Sequence, residues 1–255
     1  MSEHQIKHHG GNEDGKIKVM IGIPRGGFTL TEAIDNQIDM AFYLGKLEEK
    51  SNFKFYWATI GRLFVPKARE EFARYAIELG CDYLMMIDDD MICPVDLFER
   101  LYKHDVDVVA PIAFQRRHPY FPVIYKTRTG WDTVRKQTYF ANEIVKNYPK
   151  DTLFECDAVG FGAVLIKADI LKRFEPPRFM STSPTGEDIL FCYQAKENLG
   201  IKIYCDTSTR IQHLGSPSVI GEEDFEKANV MDEVRKTYGD YEEGIHGDDV
   251  LEVNG

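Results

Sequence analysis

The sequence predicts a single α/β domain in which a mixed, mostly parallel sheet is flanked by helices. Three observations predict it. Apolar runs of strand length alternate with helix-spaced segments over residues 17–110, in the order strand, helix, strand, helix, strand, helix, strand. Two of those runs, 17–23 and 83–87, are apolar almost without interruption, as strands buried on both faces are. At 255 residues and 43% apolar content, the chain has the material for one large core.

Residues 17–23 (IKVMIGI) run into Pro24-Arg25-Gly26-Gly27, so a buried strand gives way to a loop. Thr29 with Glu32 three residues on makes a capping box, and Ile34, Ile38, Ala41 and Leu44 then recur at helical spacing. Phe53, Phe55 and Trp57 alternate with polar positions, predicting a second strand. Pro66 suits a first helical turn, and Val65, Ala68, Phe72, Ala76 and Leu79 mark one helix face that stops at Gly80. After the strand at 83–87, a helix is expected over 94–103 and a strand over 106–110. Residues 114–155 lose the rhythm and are rich in aromatic and basic side chains. The pattern resumes with a strand at 163–166, a helix at about 187–198 and a strand at 201–205. The first half is thus Rossmann-like and the second less regular, with no internal repeat.

Composition narrows the function classes. No run approaches the about 18 uninterrupted apolar residues of a membrane span, and the first residues have no apolar stretch of the signal-peptide kind. Residues 1–15 read as a flexible polar lead, in which His4, His8 and His9 belong to the tail rather than to a metal site. Cys81, Cys93, Cys156, Cys192 and Cys205 are odd in number and form no C-x-x-C pair, which predicts neutral thiols in a reducing, cytoplasmic setting. Of the net charge of −11, residues 222–255 carry −9, with three basic and twelve acidic side chains. The body at 16–221 is therefore near neutral and offers a nucleic acid no global attraction.

The most informative residues are Asp88, Asp89 and Asp90. They follow a strand apolar enough to be buried on both faces, and so lie at its carboxyl end, where open α/β sheets bind ligands. Three adjacent carboxylates repel one another, and a divalent cation is the usual way to hold them in a crevice. Helix capping explains them poorly, because the next helix is expected to begin only at Cys93-Pro94. A solvated acidic turn is the remaining bland reading. A dehalogenase-like phosphatase loop is disfavoured, since Ile92 stands where that motif carries Thr or Val, and the strand comes late in the chain.

Four segments, in order, carry a family resemblance: residues 18–24, Ala68-Arg69 with the later DYLMMIDDDM, Asp157-Ala-Val-Gly160-Phe-Gly162, and Gly186-Glu187-Asp188 followed by IKIYCDTSTR and Ile211-Gln-His213. They resemble the GT-A glycosyltransferases, especially short soluble relatives of glycosyltransferase family 2. The resemblance implies a GT-A fold and transfer of a sugar from a UDP- or GDP-linked donor to a hydroxyl acceptor. It implies that Asp88, Asp90 and His213 hold Mn²⁺ or Mg²⁺. It further implies that Pro24, Arg25, Arg69, Asp88 and Asp89 contact the nucleotide, and that Asp157, Gly160, Gly162 and Glu187 line the donor-sugar and acceptor side. Asp188 would be the general base of an inverting reaction, kept ionised at low pKa by its helix N-terminus.

Departures from the pattern bear on this. Glu70 replaces the family's Asn after Ala-Arg, and Pro24-Arg25-Gly26-Gly27 replaces its usual opening motif. No Q-x-x-R-W is present, which argues against a processive synthase. Arg116 and Arg117 read equally as phosphate contacts or as surface charge. The rivals are a non-catalytic sugar-nucleotide-binding module on the same fold and a transferase acting on a modified nucleic-acid base.

Overall fold

The computed structural model describes residues 15–132, 136–182, 185–215 and 219–227. His4, His8 and His9, and the acidic segment past residue 227, lie outside them. The predicted alternation appears as β1 (Ile17–Arg25), α1 (Thr31–Lys50), β2 (Phe53–Gly61), α2 (Val65–Glu78) and β3 (Tyr83–Ile87). Next come β4 (Met91–Ile92), α3 (Leu97–Tyr102), β5 (Val108–Ile112), β6 (Ile124–Asp132), β7 (Gln137–Ile144), β8 (Leu153–Cys156) and β9 (Ala158–Val159). The remainder comprises β10 (Ala163–Lys167), α4 (Ala168–Lys172), α5 (Glu187–Leu199), β11 (Ile203–Arg210), β12 (Gln212–Leu214), β13 (Val219–Ile220) and α6 (Glu222–Lys227).

Seven strands form one sheet in the order β2-β1-β3-β10-β5-β11-β8. β1, β2, β3, β5 and β11 point one way, and β10 and β8 run against them. Successive residues of the central strands serve opposite faces, so the sheet carries a core layer on each side. Met20, Leu84 and Val164 pack with Phe72 of α2, Leu171 of α4 and Phe191 of α5. Val19, Ile21, Met85 and Ile87 pack with Met40 and Leu44 of α1 and with Leu97 and Phe98 of α3. Gly22 shows how closely α2 lies on β1. A Cβ there would come within 2.6 Å of the Phe72 ring, so the close approach requires glycine.

Several local expectations are corrected. The cap of α1 is Leu30, which makes no side-chain bond, so the Thr29–Glu32 capping box does not form. The buried face of α1 is Ala33, Gln37, Met40 and Leu44, while Ile38 is 48% exposed and Ala41 is also exposed. Gln37 takes the inward place because its Oε1 accepts a bond from Arg25 Nη2 at 2.9 Å. Val65 opens α2 on the outside, although Ala68, Phe72 and Ala76 are buried as expected and the chain turns at Gly80 with φ 63°. The helix expected from residue 94 starts at Leu97, after the short strand β4. The strands expected at 106–110 and 201–205 form at Val108–Ile112 and Ile203–Arg210. The irregular stretch contains an antiparallel hairpin, β6 with β7, and the edge strand β8.

The cysteines match the expectation of unpaired thiols: all five are free, and four are buried. Burial pushes Cys93, Cys156, Cys192 and Cys205 well above the ordinary thiol range. Among the described residues, no helix is long and apolar enough to cross a membrane.

Candidate active site

The topology brings the acidic triplet, the glycine turn, the first turn of α5 and His213 to one edge of the sheet; Asp157 lies at the other, just past Cys156, which pairs with Ile203 at the start of β11. Asp88, Asp89 and Asp90 follow β3 at its carboxyl end, beside the end of β1. β10 runs antiparallel to β3, with Ala163 opposite Ile87, so the turn Gly160-Phe161-Gly162 reaches the same edge. The Asp88 N–H donates to the Gly162 carbonyl at 2.8 Å and locks the two together. β12 pairs with β4, placing His213 opposite Met91. Open α/β sheets bind ligands at this edge.

The three aspartates do different things. Asp88 Oδ1 accepts a bond from Arg69 Nη2 at 2.9 Å. Burial pushes its carboxyl up to about 7; Arg69 opposes this, and the charges of Asp90, Glu187 and Asp188 add to it. Asp89 turns to the β1–α1 loop, where its Oδ2 accepts from the Gly26 N–H at 2.8 Å and the Thr29 hydroxyl at 3.0 Å. Asp90 Oδ2 accepts from Arg116 Nη1 at 3.0 Å and lies 3.2 Å from His213 Nε2. For Asp90, burial is outweighed by His213 and Arg116, which hold its carboxyl below the usual range.

His213 supplies the test of whether a cation fits. Its Nδ1 lies 2.9 Å from the Phe114 carbonyl, which can only accept, so Nδ1 carries the proton. In the neutral ring Nε2 then presents a lone pair to an Asp90 oxygen. Two acceptors facing each other at 3.2 Å accommodate a shared proton or a metal ion between them, beside the Arg116 guanidinium already on Asp90 Oδ2. One imidazole and one carboxylate are donor types that Mn²⁺ or Mg²⁺ accepts. The pair fits; a larger cluster is not preassembled. Among the described residues, no group of three His, Cys, Asp and Glu side chains is gathered as a metal site, and Asp88 is turned to Arg69.

Asp188 lies in the first turn of α5, its Oδ1 accepting from the Ile189 N–H at 2.7 Å. The expectation of a low pKa is overturned. Burial and then the Glu187 charge raise it; Arg69 and backbone N–H bonds from Ile189 and Phe161 oppose them without prevailing. A helix N-terminus favours charge, but desolvation wins here.

Other residues expected to make contacts are engaged within the protein. Arg69 is only 2% exposed. Its Nε donates to Glu187 Oε1 at 3.0 Å, and its Nη2 donates to Asp88 and, at 3.2 Å, to the Phe161 carbonyl. Pro24 is buried in β1 opposite Ile60, and Arg25 bonds Gln37 and, at 3.4 Å, Thr29. Asp157 accepts from the Thr127 N–H at 3.0 Å and pairs with Lys196 of α5, fastening the hairpin to that helix. A Cβ at Gly160 would fall 2.9 Å from Val123, and one at Gly162 would fall 2.2 Å from the Met91 methyl. These glycines relieve crowding among protein atoms. Thr29 and Gln37 are site-shaping residues that sequence reasoning missed; a glutamine on an otherwise apolar helix face was the available signal. Tyr125, raised by burial and by the Asp188 charge, was missed as well.

No protein-family model and no curated protein matches the sequence. Solved structures align with the chain. A structure titled A197 from STIV aligns with TM-score 0.52 at 17% identity, covering 80% of this chain and 94% of its own. A UDP-glucose pyrophosphorylase complexed with UDP-glucose aligns at 0.44 and 11% identity, covering 84% and 97%. A glycosyltransferase involved in glycosylation of the major capsid of PBCV-1 aligns at 0.35 and 14% identity, covering 72% and 76%. The alignment with A197 shows a shared α/β fold, in which this chain sets the acidic triplet and the glycine turn at the carboxyl edge of its seven-stranded sheet.

Proposed function

We propose that this chain is a glycosyltransferase that moves a sugar from a nucleotide-diphosphate donor, UDP- or GDP-linked, to a hydroxyl acceptor with inversion. One observation carries the reading: Asp188, a half-buried carboxylate of raised pKa beside the Gly160 turn, lies close enough to Asp88 for its charge to act there, on the same edge as the Asp90–His213 pair. Asp188 takes the acceptor hydroxyl's proton as that oxygen attacks the anomeric carbon. The bond from that carbon to the diphosphate oxygen breaks, and the nucleoside diphosphate leaves with the electron pair. Asp90 and His213 would hold a divalent cation, Mn²⁺ or Mg²⁺, which would supply charge compensation for the leaving diphosphate. Asp88 keeps one oxygen on Arg69 and has the other for the cation or the donor ribose. Asp89 acts indirectly, holding the Gly26–Thr29 loop beside the donor.

The test is a screen of nucleotide sugars with Mn²⁺, following released nucleoside diphosphate. Turnover of at least one UDP- or GDP-linked sugar, abolished by chelation, is expected. Release of pyrophosphate from nucleoside triphosphates instead would mean nucleotidyl transfer, and no turnover of any donor would leave a binding module.

A further inference from the structure

We propose that Arg69 is a positioning residue that sets the spacing between the donor side and the base side of the site. One guanidinium holds three segments far apart in sequence. Nε binds Glu187, next to the base Asp188; Nη2 binds Asp88 of the acidic triplet; and Nη2 also binds the Phe161 carbonyl in the glycine turn. Its plane also lies by the Phe161 ring, 5.5 Å from the centroid, so its rotation is fixed.

Stability alone gives no reason for this arrangement. Buried ion networks are often matched or bettered by apolar packing, so a 2% exposed arginine among acids is weak evidence of a stabilising device. The remaining nitrogen, Nη1, is buried without a hydrogen-bond partner among the described residues, a defect that a network selected for cohesion would avoid. What the planar fork provides is geometry: two carboxylates from α5 and the β3 edge held at fixed separation. α2 itself is anchored by Phe72 against Gly22 of β1, so the fork stands on a rigid support. Arg69 touches neither the donor nor the acceptor; it acts through Glu187, Asp88 and the turn.

The kinetic arm rests on the transferase reading; a second arm does not. Arg69→Met removes the charge and is the severe variant. Arg69→Lys keeps a buried cation but cannot span both carboxylates, and is the informative one. For Arg69→Lys we expect transfer kcat to fall about 10²-fold, as misplacement by about 1 Å does, with donor Kd changed less than about threefold. Amide hydrogen exchange at Phe161, Gly162 and the first turn of α5 should quicken about tenfold, with β1 and β2 unchanged. Wild-type kcat and wild-type exchange in Arg69→Lys, with only a lower Tm, would overturn the proposal. If the wild-type protein turns over no nucleotide sugar, the transferase reading fails, and exchange alone decides whether Arg69 fixes these segments.

Discussion

Asp206 is where a perturbation remote from the acids should be felt at His213. The carboxylate is fully buried, at 0% exposure. It accepts from the Ser208 N–H at 3.0 Å, the Ser208 hydroxyl at 2.5 Å, the Thr209 hydroxyl at 2.8 Å and His104 Nε2 at 2.9 Å. These bonds gather the chain where β11 slips register against β5, between Asp206 and Arg210, just before β12 carries His213 to Asp90. Asp206→Ala leaves the buried Thr209 hydroxyl without its acceptor and removes charge-assisted bonds. The expected loss is about 3–5 kcal/mol, or roughly 10 °C in Tm for a chain of this size. The pH dependence has a definite sign. Against burial, the bonds from Ser208, His104 and Thr209 hold the Asp206 carboxyl below its ordinary value. Its contribution is therefore full above the unfolded carboxyl pKa of about 4 and is lost as pH falls through the lower folded value. Thermal unfolding of both proteins from pH 7 to pH 3 should show the gap narrowing below about pH 4. A variant melting within about 1 °C of wild type at pH 7 would refute this account of the turn.

Two further predictions follow from the geometry. Asp90→Ala, or chelation of the wild type, should abolish nucleotide-sugar turnover, and His213→Ala should weaken Mn²⁺ binding by about 10²-fold; full activity in EDTA would remove the cation from the mechanism. Gly22→Ala drives a Cβ to within 2.6 Å of the Phe72 ring and should cost about 1–3 kcal/mol in urea unfolding, whereas unchanged stability would mean that α2 shifts freely on the sheet.

The strands and their edge were legible because burial on two faces leaves continuous apolar runs, as at 17–23 and 83–87. The acidic triplet was legible for the same reason, since a buried strand leads straight into it. What failed was local grammar applied where a distant partner decides. Thr29 followed the capping-box rule, but Asp89, sixty residues away, claims its hydroxyl. Gln37 broke the apolar face of α1 because Arg25 needed its oxygen. Asp188 was expected to be acidic from its place in a helix, a local property, while its burial and the Glu187 charge belong to the folded site. Arg69 resembled a family nucleotide contact, yet its partner Glu187 is 118 residues on, beyond any local spacing rule.

Asp188→Asn tests the central claim most directly. Asparagine keeps the size of the side chain and an oxygen for the Ile189 N–H, but takes no proton. With saturating donor and acceptor, the transfer rate should fall about 10²–10⁴-fold, with donor affinity by calorimetry nearly unchanged. The base works deprotonated, so wild-type activity should fall as pH drops through a pKa above the ordinary carboxylate range, and the variant should lack that limb. An Asp188→Asn protein that transfers sugar at the wild-type rate would contradict the account and remove the argument for inversion.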